Sequence, residues 1–94
     1  MKILIVEDNK KLLQTIEKEL KKHFEVECCE DGEEAFYLIK QGIYDLVVLD
    51  LMLPSMNGIE VLKNIRKNYI DTPVLILTAK ESLDEKVEAF SMGA

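Results

Sequence analysis

Apolar residues follow two rhythms along this chain. Unbroken runs, Ile3-Leu4-Ile5-Val6, Leu46-Val47-Val48-Leu49 and Val74-Leu75-Ile76-Leu77, stop abruptly at polar residues. Short runs of that β-branched character fit strands covered on both faces. Between them the spacing turns helical. Leu12, Leu13, Ile16 and Leu20 recur on one face with Lys and Glu opposite, which predicts an amphipathic first helix capped by Asn9 or Asp8. Glu17 and Lys21 stand at i, i+4 on it. Residues 24–29 read as a weaker strand, alternating in part at Val26 and Cys28, and Asp31-Gly32 reads as a turn. A helix is predicted over 33–41 through Ala35, Leu38 and Ile39, with Gly42 ending it. Residues 54–58 read as loop, and 59–67 as a helix with Val61, Leu62 and Ile65 inward. Pro73 opens the fourth strand, and a last helix over 83–92 carries Leu83, Val87 and Phe90 on one stripe.

The order βαβαβαβα implies an α/β fold, a doubly wound, mainly parallel sheet joined by right-handed crossovers. With 94 residues and no repeat, low-complexity run or linker, one domain over 1–94 is expected. A 48% hydrophobic content is enough apolar surface to offset chain entropy, so disorder is not expected. No apolar run reaches the ~20 residues of a membrane helix, and no signal-peptide pattern opens the chain. A cytoplasmic protein is expected. Lys and Arg number 12 against 18 Asp and Glu, a formal charge of −6. That balance disfavours direct nucleic-acid binding by this segment, which needs clustered cations, and suits a divalent cation. Cys28 and Cys29 are adjacent, too close for an unstrained disulfide and without the further ligands of a zinc site. They read as small hydrophobes in a reducing compartment.

In open parallel sheets, functional groups gather beyond the carboxyl ends of the strands, where strand order reverses. Glu7, Asp8, Asp50 and Thr78 close the three most apolar strands. For any one Asp the ordinary role is a helix or turn cap. The set is harder to obtain by structural need. If the strands are neighbours, their ends lie ~5–10 Å apart, and carboxylates at that range repel one another until a pKa rises or a cation intervenes. Magnesium, a hard ion that takes one or two carboxylates and keeps several waters, is the natural candidate, with manganese as its substitute.

These segments resemble the receiver domain of bacterial two-component response regulators. The resemblance is carried by Ile3-Leu4-Ile5-Val6-Glu7-Asp8-Asn9, by residues 45–54 (Asp45-Leu46-Val47-Val48-Leu49-Asp50-Leu51-Met52-Leu53-Pro54) with Asn57-Gly58, and by Pro73-Val74-Leu75-Ile76-Leu77-Thr78-Ala79. It implies a flavodoxin-like receiver fold with strand order 2-1-3-4-5. It also implies Asp50 as phosphoacceptor, Asp8 as direct metal ligand, Glu7 acting through water, the backbone carbonyl of Met52 as a further ligand, and Thr78 as the switch hydroxyl. The partner implied is a sensor histidine kinase. Asp84, Lys86-Val87 and Met92-Gly93-Ala94 look most like receivers that precede a winged-helix DNA-binding domain.

The resemblance also implies a fifth strand, its terminal lysine, a switch aromatic and a fifth helix, none of which lies within these 94 residues. On that reading the chain is a receiver truncated after four strands and four helices. The fourth strand is then expected to be an exposed edge, and the fragment to be weakly stable or to self-associate through that edge or a bare helix face. Lys80 is not assigned the missing lysine's role.

Two rival readings differ in class. A haloacid-dehalogenase-type phosphatase also places a nucleophilic Asp after a parallel strand, but needs a second acid two residues on, where this chain has Met52. A receiver-like module that is never phosphorylated, and only binds a partner or itself, is the other. His23, near the end of the first helix, reads as a solvated cap. Phe36, Tyr37 and Phe90 are too scattered for a base-stacking platform. Pro54 and Gly58 fit a shaped loop after Asp50 and an ordinary turn equally well.

Overall fold

The computed structural model describes residues 1–77. Thr78, Ala79-Lys80-Glu81 and the helix expected over 83–92 lie outside the described residues. Four strands and three helices alternate: β1 (Lys2–Val6), α1 (Lys10–Leu20), β2 (Glu25–Cys29), α2 (Gly32–Ile39), β3 (Leu46–Asp50), α3 (Gly58–Lys67) and β4 (Val74–Leu77). All pairings are parallel, in the order β2-β1-β3-β4. The chain therefore steps outward from β1 to β2, then returns across β1 to β3, and the order reverses between β1 and β3.

The pleat explains the unbroken apolar runs. Leu4, Val6, Val47 and Leu49 join Ala35, Ile39, Val61, Leu62 and Ile65 in a core beneath α2 and α3. Ile3, Ile5 and Val48 face the other way, with Leu13 of α1 and Val26 of β2. Alternate residues of one strand thus serve opposite helix layers, so the strand needs apolar residues at every position. Each such buried side chain contributes about 1.5–3 kcal/mol. In β4, Val74 is buried in the first core, while Leu75 on the opposite face is 58% exposed.

The helix starts decide one reading between its two alternatives and correct another. Asn9, not Asp8, caps α1, its side chain accepting from the Leu12 amide at 3.1 Å. Asp31-Gly32 is not a free turn: Asp31 caps α2, accepting from the Glu33 and Glu34 amides at 2.8 and 3.0 Å, and Gly32 is the first helical residue. β2 begins at Glu25, leaving Phe24 partly exposed before it. Gly42 has φ +71 beyond the end of α2, as its assignment as the helix stop requires. Lys21 pairs with Glu17 at 3.2 Å. Both cysteines are free, and Cys29 is buried. Burial pushes the Cys28 thiol up to about 12 and the Cys29 thiol to about 11, so both stay protonated and inert at neutral pH. His23 is exposed in the turn after α1.

Candidate functional site

β1 and β3 are neighbours in register, Val6 beside Leu49. The residues that follow on β1 and the last residue of β3 therefore emerge side by side at the carboxyl end of the sheet. One carboxylate oxygen from each of Glu7, Asp8 and Asp50 lies within 4.8 Å of the others. Glu7 and Asp50 are buried, at 3% and 5% exposure, and Asp8 is open to solvent. Thr78, the fourth residue of the expected set, lies outside the described residues.

Local structure frees these carboxylates from capping helices. Asn9 caps α1, which leaves Asp8 without that duty. Asn57 caps α3, its side chain accepting from the Glu60 amide at 3.0 Å, so Asp50 does not cap that helix either. Asp50 does make a turn contact, accepting from the Met52 amide at 3.2 Å, and Glu7 accepts from the Asn9 amide at 3.0 Å. Among the described residues, no lysine or arginine forms an ion pair with the three.

Electrostatics follow from that crowding. Burial is the main force raising the Glu7 carboxyl above the usual range; the Asn9 amide opposes it, and the charges of Asp50 and Asp8 raise it further. Asp50 is also raised, chiefly by burial and then by Asp8, against the amides of Met52 and Leu51 and a hydrogen bond from Glu7. Both carboxyls are therefore held above the usual carboxylate range by burial and by the neighbouring acids. A divalent cation fits this donor set: three hard oxygen donors, two of them held by short turns and one facing water. Met52 lines the groove beside the site together with Asp8, Asn57 and Glu60.

Residues 3–94 match the family of response regulator receiver domains. The chain belongs to that family. Over 94 residues this receiver domain is 50% identical to the transcriptional regulatory protein CiaR of Streptococcus pneumoniae, covering all of this chain and 42% of that protein. It is 44% identical over 95 residues to the cell cycle transcriptional regulator CtrA of Caulobacter vibrioides, covering all of this chain and 41% of that protein. The receiver domain thus spans less than half the length of these relatives. Its fold matches the receiver domain of the Francisella response regulator 1452 with a TM-score of 0.91 at 38% identity, over 99% of this chain and 78% of the other.

Sequence reasoning missed two features that shape the site. Gly58 packs directly on the backbone of Asp50. A Cβ there would collide with the Asp50 carbonyl oxygen and stand 2.6 Å from the Leu51 Cα. That resolves the open question about Gly58 in favour of a positional need; Asn57-Gly58 was the available signal. Ser55 adopts φ 62, and its hydroxyl donates to Asp31 at 2.7 Å. Nothing in the sequence around Ser55 announces that contact.

Proposed function

We propose that this receiver domain takes a phosphoryl group from a sensor histidine kinase onto Asp50. The observation that carries the reading is the convergence of Glu7, Asp8 and Asp50 where strand order reverses. An Asp50 carboxylate oxygen attacks the phosphorus of a phosphohistidine. An O–P bond forms, the P–N bond breaks, and the departing imidazole takes up a proton. The product is an aspartyl phosphate, labile to water, so the domain resets itself and is not a turnover enzyme.

Asp8, Asp50 and the Met52 carbonyl would hold Mg2+ or Mn2+, with Glu7 contributing through water. When bound, the ion supplies charge neutralisation between the nucleophile and the incoming phosphoryl oxygens. The chain's own residues do the rest. The Met52 amide orients one Asp50 oxygen. Thr78 is proposed to donate its hydroxyl to the new phosphoryl oxygens and to move toward them as the switch.

The regulatory names of the relatives support an output in transcription through a further domain of the whole protein. The charge of −6 supports the reading that this segment itself does not touch nucleic acid. No helix among the described residues is long and apolar enough to cross a membrane, and a cytoplasmic location is part of the proposal. The test is incubation with acetyl phosphate and Mg2+. Wild type is expected to gain the mass of one phosphoryl group and Asp50→Asn none; a wild type that gains nothing overturns the reading.

The rival, an unphosphorylated self-associating module, draws on Leu75, 58% exposed on β4 at one end of the strand order. It predicts concentration-dependent sedimentation with no phosphoryl uptake. Steady turnover of p-nitrophenyl phosphate would instead revive the phosphatase reading.

A further inference from the structure

The loop that follows the phosphoacceptor starts and finishes on Asp50. At its start the Met52 amide donates to the Asp50 carboxylate, and at its finish the Gly58 amide donates to the Leu51 carbonyl at 3.0 Å. Gly58 itself lies against the Asp50 carbonyl. The middle of the loop is fastened to the start of α2. There the Ser55 hydroxyl donates to Asp31 Oδ1 at 2.7 Å and accepts from the Glu33 amide at 3.4 Å. The Gly32 amide donates to the Pro54 carbonyl at 3.3 Å. Gly32 has no Cβ because the Met56 carbonyl occupies that space.

Ser55 holds a left-handed conformation, φ 62, that L side chains with a Cβ avoid. A non-glycine residue in that region persists when its surroundings over-determine it. The shortest of the contacts that hold it is to one carboxylate, Asp31, which at the same time caps α2 through two amides. Its carboxyl is held below the usual range by the Glu34 amide and the Ser55 hydroxyl. One oxygen atom therefore couples the α2 start to the loop that carries Met52 and buttresses Asp50.

We infer that Ser55 and Asp31 are positioning residues for phosphoryl transfer: their hydrogen bond fixes the 51–58 loop so that the Met52 backbone and the Asp50 carboxylate keep the geometry that holds the divalent ion. The inference rests on the phosphoacceptor reading and deepens it. It differs from a simple anchoring role in the sign of its effects. Ser55→Gly removes the hydroxyl and the backbone strain together. Anchoring alone predicts that ion affinity is untouched, whereas positioning predicts weaker affinity in a chain that is no less stable.

The experiment measures three quantities on the full chain: Mn2+ affinity by electron paramagnetic resonance, the rate of phosphoryl gain from acetyl phosphate, and Tm. Ser55→Gly is expected to weaken Mn2+ binding and slow phosphoryl gain on the order of 10-fold, the range found when groups that orient ligands are removed, with Tm equal to wild type or higher. Asp31→Asn keeps an acceptor oxygen for both the cap and Ser55, and is expected to stay within about twofold of wild type. Unchanged Mn2+ affinity and rate in Ser55→Gly would overturn the inference, as would an Asp31→Asn loss as large as that of Ser55→Gly. If wild type itself takes up no phosphoryl group, the phosphoacceptor reading falls, and Mn2+ affinity alone then decides whether the clamp positions the site.

Discussion

The two ends of the parallel sheet carry the same residue types and use them in opposite ways. At the amino end, Lys2 lies 3.3 Å from Glu27 and 3.8 Å from Glu25, and its backbone amide donates to Asp45 at 2.8 Å. The Tyr44 hydroxyl donates to Glu27, and the Lys2 ammonium sits 5.7 Å from the centre of the Tyr44 ring. Glu25, Glu27 and Asp45 there each face a cation or a donor. At the carboxyl end, Glu7, Asp8 and Asp50 crowd within 4.8 Å with no such cation among the described residues. The amino end is neutralised by the chain itself. Among the described residues the carboxyl end keeps its acids without such a cation, and a bound divalent ion would neutralise them.

Backbone space gives the largest contrast. Gly58 at the carboxyl end and Gly42 at the amino end are both glycines, for different reasons. Gly58→Ala forces a Cβ into the Asp50 carbonyl and should lower stability by about 3 kcal/mol, the upper part of the range for overpacking a rigid site. Gly42→Ala meets no atom within 4 Å and carries only the strain of φ +71, about 1 kcal/mol. Urea unfolding of the two variants checks the ranking. Equal losses would mean that the approach of α3 to Asp50 is looser than the geometry indicates.

The ion itself supplies the next effect. A ligand that binds only the folded state at ten to a hundred times its Kd stabilises by about 1.4–2.7 kcal/mol. Mg2+ should raise the Tm of wild type accordingly, chelation should reverse it, and Asp8→Asn should abolish it. Glu27→Gln, at the other end, should leave the response intact.

The acids should also differ in sign when neutralised without metal. Asp50→Asn relieves repulsion around a buried charge and is expected to raise stability. Glu27→Gln loses the Lys2 pair and is expected to lower it by about 0.5–1 kcal/mol, the range for half-exposed pairs. Chemical denaturation in the presence of a chelator reads both. Two losses would show that Asp50 is compensated by contacts other than those described.

How much of this contrast the sequence carries depends on what fixes each residue. The runs in β1 and β3 were legible because a strand buried on both faces must be apolar throughout, and their abrupt ends exposed Glu7, Asp8 and Asp50. The partner layers, α1 on one face and α2 with α3 on the other, follow from right-handed crossovers once the strand order is known, and helical spacing alone does not assign them. Gly32 was misread as part of a turn because its reason is the Met56 carbonyl, 24 residues away in sequence. Tyr44 drew no notice between Ile43 and Asp45, although it is 6% exposed and pairs with Glu27 across the sheet end. Local pattern reveals which face a residue serves; it does not reveal which distant backbone will lean on it.

Alkaline pH should act on both ends together. The Cys28 and Cys29 thiols are raised from 9.0 to about 12 and about 11, and the Tyr44 hydroxyl from 10.0 to about 12, in each case chiefly by burial. A group with a raised folded pKa binds its proton more tightly when folded. Its contribution is therefore complete below the unfolded value and is lost as pH rises toward the folded one. The urea midpoint should hold steady up to pH 9 and fall between pH 9 and 12. Cys29→Ala should be less stable at neutral pH but show a shallower alkaline decline. A flat wild-type profile would place the thiols in contact with water.

The smallest effect compares the two strained residues. Ser55 at the carboxyl end and Tyr69 at the amino end have nearly the same φ, 62 and 60. Ser55 returns a hydrogen bond to Asp31, but the Tyr69 side chain is 95% exposed. Tyr69 occupies the left-handed position just past α3, where its amide donates to the Arg66 carbonyl at 3.1 Å and the Ile70 amide to the Ile65 carbonyl at 2.9 Å. Glycine is favoured at such a helix stop because it lacks the Cβ that clashes there. Tyr69→Gly keeps both backbone bonds and removes about 1–2 kcal/mol of left-handed strain. It returns about 0.4–1 kcal/mol through the freer unfolded chain. The net gain should be about 0.5 kcal/mol in urea unfolding, with Mn2+ affinity unchanged. Ser55→Gly, by contrast, should trade a similar relief for weaker ion binding. If both glycine variants leave the ion site untouched, the strain at the two ends has the same meaning and the contrast between them is lost at that point.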